Sequence, residues 1–175
     1  RSSWEAVQKA GGKTFASAWK EDPFEFMGSR LNLLVWSGGA NPEKAKQWQS
    51  GGSQIFCYSN PQGGIEEPAT YRYNYGLALW KAGYDGAMTF AYQYNGHYIW
   101  NDFDHPKDRD HCFTYPTVNG FVGTIQWEGF REAVDDVRYI STLEKAIGIA
   151  PQGGGAILRG GCSSAINLRL GGAAV

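Results

Sequence analysis

The sequence predicts an α/β fold, a parallel sheet flanked by helices, and two observations predict it. Strand-like apolar runs alternate along the chain with helical stretches that begin near Pro and stop at Gly. Several of those runs, such as Leu31 to Trp36, are nearly continuous in apolar residues, as suits strands covered on both faces. Composition agrees: the 175 residues are 42% hydrophobic, 15% aromatic and 19% charged, too apolar for disorder. The balance of 16 Lys and Arg against 17 Asp and Glu gives a formal charge of -1, which removes the basic surplus a nucleic-acid binder works with. No run reaches the roughly 18 consecutive apolar residues of a spanning helix, so a soluble chain without a membrane partner is expected.

Taken in order, Trp4 to Ala10 is helix-like and stops at Gly11-Gly12. Lys13 to Trp19 alternates as a strand, and Leu31 to Trp36 forms the next. Asn41 is a helix N-cap ahead of Pro42, and the helix runs from Pro42 to Ser50 before Gly51-Gly52. Gln54 to Tyr58 is a buried strand in which Cys57 serves as a small apolar residue. After the loop from Ser59 to Pro68 comes a helix over Thr70 to Ala82, ended by Gly83, and then a strand over Gly86 to Tyr92. A long loop, Gln93 to Gly120, leads into a short strand-like Phe121 to Ile125 and the clearest helix of the chain, Trp127 to Ile147. On that helix Trp127, Phe130, Val134, Val137, Ile140 or Ser141, and Leu143 share one face, which is expected to pack. Glu128, Arg131, Asp135 and Arg138 lace the other at spacings of three and four. Residues 148–175 are broken by Gly153-Gly154-Gly155, Gly160-Gly161 and Gly171-Gly172 and read as a poorly ordered tail after a domain over residues 1–147.

Reactive groups in parallel α/β folds gather in loops after the carboxyl ends of strands. One such loop, SNPQGGIEEP, holds Asn60, Glu66 and Glu67; another, QYNGHYIWNDFDHPKDRDH, holds Trp100, Asp102 and Asp104. Acids and amides beside aromatic rings suit sugars, whose apolar faces stack on rings while their hydroxyls bond to the polar groups. Glycoside hydrolysis also asks for paired carboxyl groups, and Glu66 or Glu67 facing Asp102 or Asp104 has that potential. Against this, acids just before Pro68 are favoured by the helix dipole alone, so one of the two glutamates is expected to be a helix-start acid. Tyr58 and Arg72 suit a hydroxyl-gripping pocket, while Arg72 suits an ion pair with Glu66 equally. Asp102 to Asp110 lacks the Gly and terminal Glu of an EF-hand, and His105, His111 and Cys112 lack a chelating spacing, so no metal is expected. Cys57, Cys112 and Cys162 form no C-x-x-C pair, GGGAILRGG is no phosphate loop, and no cofactor is expected.

Three stretches go further than residue types. YRYNYGLALWKAGYDGAMTFAYQY from Tyr71, then WNDFD, then YPT ahead of TIQWEGFREAVDDVRYISTLEKAI, together resemble the C-terminal half of a glycoside hydrolase 123-like catalytic domain, over roughly Lys13 to Ile147. The resemblance implies that the strands are about the last four βα units of a (β/α)8 barrel. It also implies hexosaminidase-type chemistry, in which the 2-acetamido oxygen of the substrate attacks the anomeric carbon while an Asp-Glu pair orients it and supplies the acid. This sequence has no Asp-Glu dipeptide; Glu21-Asp22 has the reverse order and Glu66-Glu67 a different first residue.

The first expectation is therefore a glycoside hydrolase present as an incomplete barrel that starts at Arg1. Tyr58, Asn60, Glu66, Glu67, Arg72, Trp100, Asp102 and Asp104 line its sugar site, and its open edges favour self-association. An alternative is a non-catalytic carbohydrate-binding or scaffold domain. A third reading, a doubly wound cofactor-binding domain, lacks its phosphate loop. No signal peptide stands at the start and no Asn-x-Ser/Thr sequon occurs, so the compartment is open.

Overall fold

The computed structural model of the chain describes residues 2–58, 67–93, 98, 100–101 and 113–148. The tail expectation over 149–175 and the candidates Asn60, Glu66, Asp102 and Asp104 lie outside the described residues. The elements run α1 (Ser2–Lys9), β1 (Phe15–Ala18), α2 (Phe24–Met27), a 3-10 turn (Gly28–Arg30), β2 (Leu33–Trp36), α3 (Pro42–Ser50) and β3 (Gln54–Cys57). They continue with α4 (Pro68–Tyr75), α5 (Leu77–Ala82), β4 (Gly86–Ala87), β5 (Thr114–Thr117), β6 (Gly120–Gly123) and α6 (Ile125–Ala146).

The fold is α/β. Strands β1, β2, β3 and β4 pair in parallel in chain order, while β5 and β6 make a separate antiparallel hairpin. Parallel crossovers are right-handed, so an order without reversal puts the connecting helices on one face of the sheet. Among the described strands it also leaves no switch point, the place where a doubly wound domain holds its cofactor, which argues against the third reading.

Strand register decides what faces those helices. Ala18, Trp36, Cys57 and Ala87 form one cross-strand row, and Ala16, Leu34 and Ile55 form the row two residues earlier. All seven join the core or pack against it, with Trp48 of α3, Tyr71 and Tyr75 of α4, Leu79 of α5 and Phe113. Cys57 is buried as expected. The intervening positions face the other way: Phe15 is 57% exposed, Leu33 and Phe56 are half-buried, and only Val35, flanked by neighbours on both sides, is buried.

Local signals set several boundaries. The Asn41 Oδ1 accepts the backbone N–H groups of Glu43 and Lys44 at 3.0 and 3.1 Å, which caps α3, and Pro42 fills its first turn. Thr124 caps α6 by accepting the N–H of Trp127 at 3.2 Å.

Elsewhere tertiary contacts override the local pattern. The single helix expected over Thr70 to Ala82 is two, broken at Gly76, where a Cβ would stand 3.1 Å from the Cα and carbonyl oxygen of Ala133 on α6 and 2.8 Å from the Arg72 carbonyl oxygen. The strand expected over Gly86 to Tyr92 shrinks to two residues, Gly86–Ala87. Past it Met88 still donates to the Cys57 carbonyl, but the Tyr92 carbonyl accepts from Phe113 and Thr114, which draws the chain towards the hairpin. Pro116 disguises β5 in the sequence, because proline argues against a strand unless its N–H side is unpaired, as a two-stranded ribbon allows.

The packed stripe of α6 also differs from expectation. Buried there are Gln126, Gly129, Ala133 and Ser141, whereas Val134 and Leu143 are 38% and 48% exposed. Helix α4 lies against the small residues, so backbone meets backbone and the larger side chains fall to the flanks. Phe130 reaches sideways into an aromatic group with Tyr75 and Phe113 at centroid distances of 5.2 and 5.1 Å. The expected charge lacing is present: Arg131 donates to Glu128 and Asp135 at 2.8 and 3.0 Å, and Arg138 to Asp135 at 3.4 Å.

Candidate carbohydrate-binding site

The shared register brings the carboxyl ends of all four parallel strands to one level. The row Ala18, Trp36, Cys57, Ala87 is the last of the sheet, and Ser37, Tyr58 and Met88 each donate their N–H to the neighbouring strand just beyond it. Aromatic side chains crowd this rim. Trp19 directly follows β1 and is 67% exposed; Trp36 ends β2 half-buried; Tyr58 follows β3 half-buried; Phe90, three residues past β4, is 53% exposed.

The rim is held from below. Asp22 accepts from the Trp48 Nε1 at 3.2 Å and from the Phe24 N–H at 3.0 Å, and it forms an ion pair with Lys44. Lys44 in turn places its ammonium 4.1 Å from the Trp36 ring centroid, a cation–π contact that fixes one face of the indole. The Ser37 Oγ donates to the Trp19 carbonyl at 3.3 Å and the Cys57 Sγ to the Gly38 carbonyl at 3.2 Å, tying the loops after β1, β2 and β3 together. Lys20 lies 4.5 Å from the Trp19 ring centroid. Burial pushes the nearby Tyr84 phenol up to about 12, with the Asn41 backbone pulling the other way.

Of the residues singled out in the sequence, Tyr58 is on this rim. Trp100 stacks on Tyr115 of β5 with centroids 5.4 Å apart and planes 13° from parallel, and it remains 59% exposed, so it presents an aromatic surface on the hairpin. Glu67 stands at the N-cap position of α4 with its carboxylate accepting from the Thr70 hydroxyl at 2.9 Å, the helix-start placement weighed for one of the two glutamates. Arg72 is engaged elsewhere. Its guanidinium donates twice to Asp136 of α6, at 2.6 and 2.6 Å, and lies 3.7 Å from Glu132, so it clamps α4 to α6.

That clamp has an acid-dependent consequence. The Arg72 guanidinium, by hydrogen bond and then by charge, holds the Asp136 carboxyl below its usual range, against an opposing desolvation. A carboxyl depressed in the folded state contributes stability that is complete above the unfolded value and fades as pH falls through the folded one. Asp136→Asn is therefore expected to flatten the loss of stability below about pH 4, read from urea melts at stepped pH. An unchanged acid limb contradicts the clamp.

Asp22 and Lys44 are not singled out by the sequence. The signal available was an acid shortly after a strand-ending tryptophan, too common to single out alone.

Among the described residues no helix is long and apolar enough to cross a membrane. No family model, curated protein or solved structure matches the chain.

Proposed function

We propose that the chain is a carbohydrate-active domain of glycoside hydrolase type, with hexosaminidase-like chemistry on 2-acetamido sugars. The observation that supports it is the aromatic residues at the carboxyl ends of the four parallel strands: Trp36 closes β2, Trp19 and Tyr58 directly follow β1 and β3, and Phe90 lies three residues past β4. Flat rings at that end of a sheet suit the apolar faces of sugar rings, and loops there carry the polar partners for hydroxyls.

The finer fold reading is the last four or so βα units of a (β/α)8 barrel. In-order parallel pairing supports it, and so does the apolar content of the face away from the helices, where Phe15, Leu33, Val35 and Phe56 take the place of barrel-interior side chains. The outer strands β1 and β4 are then where self-association is expected. Glu66 and Glu67 are the acids this reading keeps for catalysis, beside Asn60, Asp102 and Asp104 for binding.

A non-catalytic carbohydrate-binding domain is the second reading, favoured by the missing Asp-Glu dipeptide. Nitrophenyl 2-acetamido glycosides separate the two. Turnover by the 175-residue chain supports the first reading and assigns the acid to its own residues, with Glu66→Gln and Glu67→Gln identifying which; saturable binding without turnover overturns it in favour of the second, in keeping with the missing Asp-Glu dipeptide.

A further inference from the structure

We propose that the groove between β4, α5 and α6 binds an amphipathic carboxylate, an acyl chain of medium length with a free acid group. The groove has a volume of about 550 Å³, within the usual span of small-molecule sites. Tyr75 and Leu79 form one wall, Gly86 and Ala87 of β4 another, and α6 runs along its length.

The lining changes character along α6. Phe130, Val134 and Val137 come first, and Arg138, Ser141, Thr142 and Lys145 follow, over a rise of about 22 Å from Phe130 to Lys145. Among the described lining residues there is no Asp or Glu. Asp135 reaches Arg138 from the flank at 3.4 Å, and Lys145 has no ion pair among the described residues. The Ser141 and Thr142 hydroxyls donate to the Val137 and Arg138 carbonyls at 2.7 and 2.9 Å, so the two cations are the groups left to hold an anion. Lys145 sits in the last turn, where a cation also answers the helix dipole, but Arg138 lies two turns earlier, where the dipole has faded.

This is the apolar stripe that periodicity marks for burial. Contact of α4 with Gly129 and Ala133 turns Phe130, Val134 and Val137 towards the groove, and Val134 stays 38% exposed. Apolar walls alone accept any hydrocarbon; Arg138 and Lys145, the two cations that follow the apolar stretch of α6, select an anionic head. The site shares no residue with the aromatic rim and stands whether or not the chain binds sugars.

Calorimetric titration of the 175-residue chain with decanoate tests it. The expected result is one saturable site, with decanoate held at least about tenfold tighter than decan-1-ol, the size of one net charge-assisted hydrogen bond. Arg138→Gln with Lys145→Gln removes that margin and leaves decan-1-ol unchanged, and Val137→Trp fills the groove and abolishes both. Thr142→Trp, at an exposed position, replaces Val137→Trp if circular dichroism shows the latter unfolded. No saturable binding, equal affinity for the alcohol, or decanoate affinity unchanged in the charge variant overturns the proposal. So does light scattering that finds a dimer which Val137→Trp dissociates while decanoate does not bind, because the groove is then an interface between copies.

Discussion

Trp48→Ala is expected to cost about 4 kcal/mol of folding stability, the largest loss from any single side chain in the core. The indole is fully buried, meets the edge of Phe24 at a centroid distance of 5.1 Å and an interplanar angle of 87°, and donates its N–H to Asp22 at 3.2 Å. Truncation thus removes the largest packed side chain between α3 and the sheet and takes one donor from a carboxylate that also serves Lys44. Trp48→Phe keeps part of the volume but not the donor, and should lose roughly half as much. Urea denaturation of the three proteins measures both. A loss under about 1 kcal/mol for Trp48→Ala contradicts the packing described here. Since domains are stable by only about 5–15 kcal/mol, the alanine variant should also unfold well below the parent's midpoint.

Gly129→Ala is expected to destabilise the chain by about 2–3 kcal/mol, the reverse of the usual effect. In an exposed helix interior the same change gains up to about 1 kcal/mol. Here a Cβ would lie 2.3 Å from the Pro68 carbonyl oxygen and 2.9 Å from its Cα and carbonyl carbon, all backbone atoms at the first turn of α4. Relief requires α4 to move off α6, which strains the Arg72 to Asp136 clamp and the contact of Gly76 with Ala133. Chemical denaturation checks the sign. Tyr139→Ala on the same helix, at a position 76% exposed, separates a general helix effect from the close approach. A stabilised Gly129→Ala protein contradicts the α4 to α6 packing.

These two positions also show what the sequence makes legible. Helix α3 is readable residue for residue, because Asn41-Pro42 and Gly51 are chemical start and stop signals that act within a turn. Strands β2 and β3 are readable because apolar side chains on both faces, packed on the helix side and half-buried on much of the other, leave a nearly continuous apolar run. The role of Gly129 is not, since periodicity ranks residues by apolar size, while a helix crossing at backbone distance selects for the smallest. Strand β4 is shorter than its composition suggests for a related reason: GAMTFAY has strand composition throughout, but among the described residues β3 pairs with Gly86 and Ala87 alone.

The site divides in the same way. Tyr58 and Trp100 stand out as aromatic residues among polar loop residues, and both have exposed or half-exposed surface in the structure. Asp22 and Lys44 are 22 positions apart and meet only once β1 and β2 have paired, so no local pattern joins them. Arg72 suits a pocket and an ion pair equally by residue type, and its partner, Asp136, lies 64 positions away on another helix.

Sugar binding at the strand-end aromatic residues, as proposed, is read by tryptophan fluorescence during titration with N,N′-diacetylchitobiose. A saturable change that weakens at least about tenfold in Trp19→Ala is expected, the loss of one exposed ring's stacking, while Trp127→Phe, packed against the core at the start of α6, leaves the affinity unaltered. A signal that does not saturate, or that survives Trp19→Ala and Trp36→Ala together, contradicts it.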